Sequence, residues 1–123
     1  MSTNYVQAGG VIEYANAGSA IASGDVVVMG HTIGVALEDI AATTGVGSVA
    51  IEGVFTVPKV SAAVFVQGEK LIFDVSASPP AFDDSSATPA TGDITGGAVA
   101  MVAGASSETT CVVKLTPGNA TKT

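Results

Sequence analysis

The sequence SGDVVVM at residues 23–29 leads into GVAL at residues 34–37, and a similar arrangement returns later in the chain. There, QGEKLIF at residues 67–73 leads into GAVAM at residues 97–101. Each copy has a glycine turn followed by an acid, then a short apolar strand, a loop and a strand of small residues. The repeated arrangement predicts a compact, β-rich fold built from two related halves.

The spacing between the two copies changes along the chain. Gly24 and Gly68 are 44 positions apart, whereas Gly34 and Ala98 are 64 positions apart. The second copy is therefore longer by 20 residues, close to the length of a Pro-rich stretch at residues 76–92. Because few residues are identical between the copies, the spacing suggests an internal duplication without establishing it.

The composition favours a protein that associates with other subunits. Charged residues make up 12% of the 123 residues and hydrophobic residues 47%, so there are too few charges to cover a monomer surface. No apolar stretch reaches the roughly 20 residues of a membrane span. The N-terminus has neither the basic nor the apolar region of a secretory signal, which predicts synthesis in a cytoplasm.

The charge pattern argues against nucleic acid as a partner. The net charge is −7, and all four basic residues are lysines, at positions 59, 70, 114 and 122. Without arginine the chain lacks the bidentate donor that suits phosphates and base edges. An acidic chain with no basic patch is a poor nucleic-acid binder.

Short apolar runs separated by glycine and polar residues predict a mainly β fold, a small barrel or sandwich. The clearest strand covers residues 48–57, where apolar side chains alternate with others and Pro58 ends the run. Other strands are expected at 5–14, 25–29, 33–37, 70–74, 98–102 and 110–115. At most one short helix is expected, at residues 61–66 with Ser61 as its N-cap.

The chain divides into an N-terminal arm at 1–6, a single β-rich domain at 7–116 and a flexible tail at 117–123. The domain contains one long Pro-rich loop at 76–92, predicted to be exposed. Loops of this length often contact a partner. The side chains that we predict for such a contact surface are Pro79, Pro80, Phe82, Asp83 and Asp84.

The reactive side chains form no catalytic, metal-binding or cofactor-binding pattern. His31 has no acid and nucleophile placed around it and is expected in an exposed turn. Cys111 lies in an alternating apolar run and is expected to be a buried strand residue. The acidic pairs at 38–39 and 83–84 lack calcium-loop spacing, and no glycine motif has phosphate-binding spacing. We therefore predict that the protein is not an enzyme and uses no cofactor.

Several stretches resemble the head decoration proteins of tailed bacteriophages, also called capsid cement proteins. The resemblance extends over residues 4–74 and is carried by NYVQ (4–7), IASGDVVV (21–28), GVALEDI (34–40), GSVAIEGVF (47–55), PK (58–59) and QGEKL (67–71). It implies a homotrimer that binds the major capsid protein on the outer surface of the mature head. There it would stabilise the shell against internal DNA pressure.

The resemblance also implies that an N-terminal arm contacts the shell. This arm would be short, uncharged and able to add a strand to a sheet edge of the capsid. Its residues are Ser2, Thr3, Asn4, Tyr5 and Val6. Two alternatives stay open: a free-standing binding module, for example for carbohydrate, or another oligomeric structural protein. An enzyme is the third class, and it would require an activity that is lost on substitution of His31 or Asp83.

Overall fold

A computed structural model describes residues 3–123, and in this range the chain is all-β, with ten strands and no helix. This confirms the predicted mainly β class. The strands form two antiparallel sheets. Their bounds are β1 Val11–Ala15, β2 Val26–Met29, β3 Thr32–Ala36, β4 Val46–Ala50, β5 Val54–Pro58, β6 Lys70–Asp74, β7 Ala81–Asp83, β8 Ile94–Ala100, β9 Thr110–Leu115 and β10 Thr121–Lys122.

The two sheets have the same core order of strands. The first sheet is β1-β4-β3-β2, and the second is β5-β9-β8-β6-β7, with β10 paired to β8. The second sheet curls into a half-barrel, because Lys59 after β5 forms a parallel bridge with Phe82 of β7. The Val60 N–H also donates to the Phe82 carbonyl, at 2.9 Å. Strand β7 therefore joins the outer edge of β6 to the end of β5.

The strand registers show that the two halves are copies of one motif. Strand β1 pairs with β4 with Val11 opposite Ala50, and β5 pairs with β9 with Val54 opposite Lys114. All five residue pairs between β1 and β4 have a counterpart between β5 and β9. The equivalent residues lie 43 positions later for β1 and 64 positions later for β4. The duplication that the sequence suggested is thus visible in the hydrogen-bonded framework.

The glycine turns of the two halves also match bond for bond. Gly24 and Gly68 both have a φ of 91°, in the left-handed region that favours glycine. Gly24 N–H donates to the Ala36 carbonyl and Gly68 N–H to the Ala100 carbonyl, each at 2.7 Å. Thr43 and Ser107, both non-glycine residues with positive φ, also occupy equivalent positions 64 apart.

The halves pack together where β3 meets β8. Ile33 of β3 lies against Gly97 of β8, its counterpart 64 positions later. A Cβ on Gly97 would stand 2.6 Å from Cδ1 of Ile33, so the contact needs glycine. Equivalent residues of the two halves therefore meet at this contact. The larger core cluster spans both halves here, since Ile33 and Val35 pack with the buried residues of the half-barrel.

The predicted strand at 48–57 is wrong as a single element. It is divided between β4 and β5, which belong to different sheets. The chain turns at Gly53, whose φ of 118° is unfavourable for other residues. The alternation of apolar side chains continues across the break, and this is why the sequence read as one strand. The junction between the halves therefore lies at residues 51–53.

Three other predictions differ from the structure. Residues 61–66 form no helix: Ala63 and Phe65 are buried while Val64 and Val66 are exposed, an alternation typical of extended chain. The loop at 76–92 contains β7, so it is not structureless. The tail predicted to be flexible contains β10, and the Gly92 N–H donates to the Thr123 carbonyl at 2.7 Å.

Candidate functional site

The N-terminal arm lies on the surface in the described residues. From Thr3 to Val6 every residue is exposed, with Tyr5 72% and Val6 89% accessible. Ser2, also predicted to belong to the arm, lies outside the described residues. The Nε2 of Gln7 donates to the Val11 carbonyl at 2.9 Å and ties the end of the arm to the start of β1. The arm thus presents an aromatic and a branched apolar side chain to solvent.

The predicted contact loop separates into an exposed part and a buried part. Pro79 and Pro80 are exposed, and Asp83 and Asp84 are half-buried. Phe82 is fully buried, so the prediction that it lies in an exposed loop is wrong. Its ring centroid lies 4.9 Å from that of Phe73 in a tilted contact. Phe82 fills the half-barrel core, a role indicated by a large aromatic within a polar run.

Buried and half-buried carboxylates hold the insertion at residues 76–92 against the rest of the half-barrel. Asp93 is 4% exposed, and its carboxylate accepts hydrogen bonds from the N–H groups of Val75 and Ala90. Glu69, the acid of the second glycine turn, accepts from both the N–H and the hydroxyl of Ser85 at 2.9 and 2.8 Å. Asp93 and Glu69 therefore hold the backbone of the insertion in place.

The hydrogen bonds from Ser85 lower the pKa of Glu69 below its usual value of 4.5. Those from Ser86 lower the pKa of Asp84 in the same way. A carboxylate whose pKa is depressed by folding contributes stability above its unfolded pKa and loses it as the pH falls through the folded pKa. The attachment of the insertion should therefore weaken in acid.

We expect Glu69→Gln to reduce the dependence of stability on pH in acid. The variant should be less stable than the wild type at pH 7 and lose less stability between pH 6 and pH 3, because the titrating group is gone. Thermal unfolding over this pH range measures the effect. Glu13→Gln, on the exposed face of β1, serves as the control and should leave the profile unchanged. Parallel profiles for wild type and Glu69→Gln would contradict the assignment.

The most unusual buried polar group is Lys59, which the sequence did not single out as a core residue. It is 4% exposed, and its Nζ donates to the carbonyls of Val60, Ser61 and Glu108 at 2.9 to 3.3 Å. The Nζ also lies 5.9 Å from the centre of the Phe65 ring. Lys59 thereby joins the loop after β5 to the loop before β9.

The first half has a buried polar residue, Asn16, at the position equivalent to Lys59. Asn16 is also 4% exposed, and its Nδ2 donates to the carbonyls of Ser19 and Ala41 at 2.8 and 3.1 Å. The N–H groups of Asn16 and Lys59 bond to equivalent carbonyls, at Gly45 and Thr109. A different side chain in each half thus joins the loop after the first strand to the loop before its ladder partner, and both roles are structural.

The remaining candidate residues are a histidine, a cysteine and an acidic pair. His31 is exposed in the turn between β2 and β3, and Cys111 is buried on β9, as predicted. Burial raises the pKa of the Cys111 thiol to about 11, so the thiol is protonated and unreactive at neutral pH.

The predicted acidic pair at 38–39 splits: Glu38 accepts from the Ser48 N–H and Asp39 from the Ser23 N–H. Within residues 3–123, no group of three or more His, Cys, Asp or Glu could hold a metal ion.

Apolar side chains on the surface are the most prominent remaining feature. Three of them, Val64, Val66 and Val102, lie where residues 63–66 run beside the segment that leads to Gly104. Their equivalents in the first half are Ala20, Ala22 and Glu38, so the corresponding surface of the first half has smaller side chains and one acid. The part of the chain that the structure describes contains no helix that could cross a membrane. The exposed large apolar residues are Tyr5, Val6, Val11, Leu37, Val46, Val54, Val64, Val66 and Val102.

The described residues thus combine a duplicated β framework with buried polar side chains and apolar surface side chains, features that suit a protein that binds through its surface. A family model described as phage cement protein matches residues 6–115, nearly the whole of both halves. The chain therefore belongs to the phage cement, or capsid decoration, protein family, which is structural and non-enzymatic. Membership implies binding to the capsid and a place in the virion. No curated protein matches the sequence.

Proposed function

We propose that this protein binds the outer surface of the mature phage head as a homotrimer and stabilises the shell against internal DNA pressure. The observation that carries the proposal is the family match over residues 6–115. The low charge and the exposed valines support the oligomer, since apolar patches on a monomer mark interaction sites. Synthesis in the bacterial host cytoplasm, followed by addition to the assembled shell, fits this role.

A trimer would strengthen weak contacts with the shell. Once one subunit is bound, the other two meet the shell at a high effective concentration, so three weak contacts give a long-lived attachment. The arm at residues 2–6 supplies one such contact for each subunit, and the exposed Pro79 and Pro80 offer another. The family match begins at residue 6, the last residue of the arm.

Sizing in solution combined with co-sedimentation on shells tests the proposal. We expect a trimer by light scattering and co-sedimentation with expanded shells, with weak or no binding to unexpanded ones. Decorated heads should also survive heating or chelation of divalent ions better than bare heads. A monomer that sediments with neither kind of shell would refute the proposed function.

Deletion of residues 2–6 should weaken binding to expanded shells at least tenfold and leave the oligomer intact. The expected loss follows from removal of the exposed Tyr5 and Val6 side chains, while the core of either half is untouched. Co-sedimentation titrations measure the affinity. Thr3→Ala, which changes an exposed polar residue of the same arm, is the control and should bind within about twofold of wild type. Unchanged occupancy after the deletion would remove the arm from the contact.

A further inference from the structure

The duplication exposes a difference between the halves at one sheet edge. In the second half, β7 covers the outer edge of β6, with Ile72 opposite Asp83 and Asp74 opposite Ala81. In the first half, no strand within residues 3–123 pairs with the outer edge of β2, the counterpart of β6. The same motif is therefore closed by an extra strand in one half and left open in the other.

The polar groups of the open edge can be identified from the ladder between β2 and β3. The Ala36 N–H donates to the Asp25 carbonyl. Because hydrogen-bonded and non-hydrogen-bonded residue pairs alternate in an antiparallel ladder, the backbone groups of Val27 and Met29 also point towards β3. The N–H and carbonyl of Val28 consequently point outward. Val28 is the counterpart of Ile72, whose outward groups face β7. Along the described chain the outward groups of Val28 make no hydrogen bond.

The other side of the opening has a matching free donor. In the second half the Val60 N–H donates to the Phe82 carbonyl of β7. The equivalent residue of the first half is Ala17, which is exposed and whose N–H has no hydrogen-bond partner in residues 3–123. Val28 and Ala17 thus offer an incoming extended segment two of the attachment points that β7 uses in the second half.

The charge of the first half indicates what kind of segment fits. Residues 1–58 contain no Lys or Arg, because the first basic residue is Lys59. The acids in the same range are Glu13, Asp25, Glu38, Asp39 and Glu52. Asp25 is exposed and immediately precedes the open strand. A segment that carries Lys or Arg beside apolar residues complements this surface.

We propose that the outer edge of β2 pairs with an extended, basic segment of the shell subunit, which completes the first sheet as β7 completes the second. Strand addition to an exposed edge supplies affinity through main-chain hydrogen bonds. The inference rests on the proposed function, because it names the partner segment that a shell-binding protein would engage. It adds a contact site distinct from the N-terminal arm.

A proline at the edge tests the proposal. Val28→Pro removes the outward N–H and leaves the bonds between β2 and β3 in place. We expect it to weaken co-sedimentation with expanded shells at least tenfold. The matched control is Ala15→Pro on β1, whose N–H also points outward and whose counterpart in the second half is already Pro58. Equal binding by both variants and the wild type would overturn the proposal.

Hydrogen exchange of the wild-type protein keeps the proposal testable if Val28→Pro fails to fold. The Val28 amide should exchange rapidly in the free protein and at least tenfold more slowly on expanded shells. Binding without this protection overturns the β2 contact and leaves the proposed function standing. If the Val28 amide is already protected in the free oligomer, the edge of β2 pairs with a second copy of this chain, and the proposed pairing with a shell segment is wrong. If the wild type binds no shell, the proposed function fails, and this inference fails with it.

Discussion

Gly104→Ala is expected to destabilise the protein by about 3 kcal/mol, at the upper end of the range for overpacked cores. A Cβ at this position would lie 2.5 Å from Cζ and 2.6 Å from Cε1 of Phe65. Phe65 is 2% exposed and cannot move outward without leaving the core. Chemical denaturation measures the loss. Gly9→Ala, where no atom lies within 4 Å of the added carbon, should change stability by less than about 0.5 kcal/mol.

The same site gives a double-mutant test of the steric explanation. Phe65 and Gly104 form a bridge whose equivalent in the first half is Ile21 with Ile40. One half thus combines a large residue with glycine, and the other uses two residues of intermediate size. Phe65→Leu removes the ring atoms that an alanine at 104 would meet, so the double variant should lose about 1 kcal/mol less than the sum of the singles. Additive losses would contradict the steric explanation.

Lys59→Met should destabilise the protein by about 1 to 3 kcal/mol, because it leaves three backbone carbonyls without their donor. Methionine keeps the apolar stem and removes the Nζ that bonds to Val60, Ser61 and Glu108. Urea unfolding measures the effect. Lys114→Met, at an exposed position on β9, is the matched control and should stay within about 0.5 kcal/mol of wild type. Similar stabilities for the two variants would show that the carbonyls find other partners.

The features of the sequence that predicted the fold are those with strong local rules. Gly24 and Gly68 each precede an acid and an apolar run, and both adopt positive φ at the start of a strand. The β class, the exposed turn at His31 and the buried Cys111 follow from equally local patterns. The family resemblance likewise depended on the turn and strand motifs, and the family match confirms it over both halves.

The features that sequence reasoning missed depend on long-range contacts. The registers of β1-β4 and β3-β4 recur in β5-β9 and β8-β9 while the side chains have diverged, so the extent of the duplication is visible in the backbone alone. Lys59 looks like a surface lysine until the carbonyls of a distant loop are placed around it. For Phe82, an aromatic inside a Pro-rich polar run was an available signal of burial. The open edge of β2 can be recognised only beside its closed counterpart.

The contact of Ile33 with Gly97 has a consequence for how this molecule could have arisen. Two identical, unlinked halves around a two-fold axis would place the same residue at both positions. Two isoleucines would collide there, and two glycines would leave a void in the core. Joining both copies in one gene lets the paired positions evolve separately, so a bulky residue can fill the space that its partner vacates. The asymmetric core is therefore a packing solution that two identical halves cannot reach.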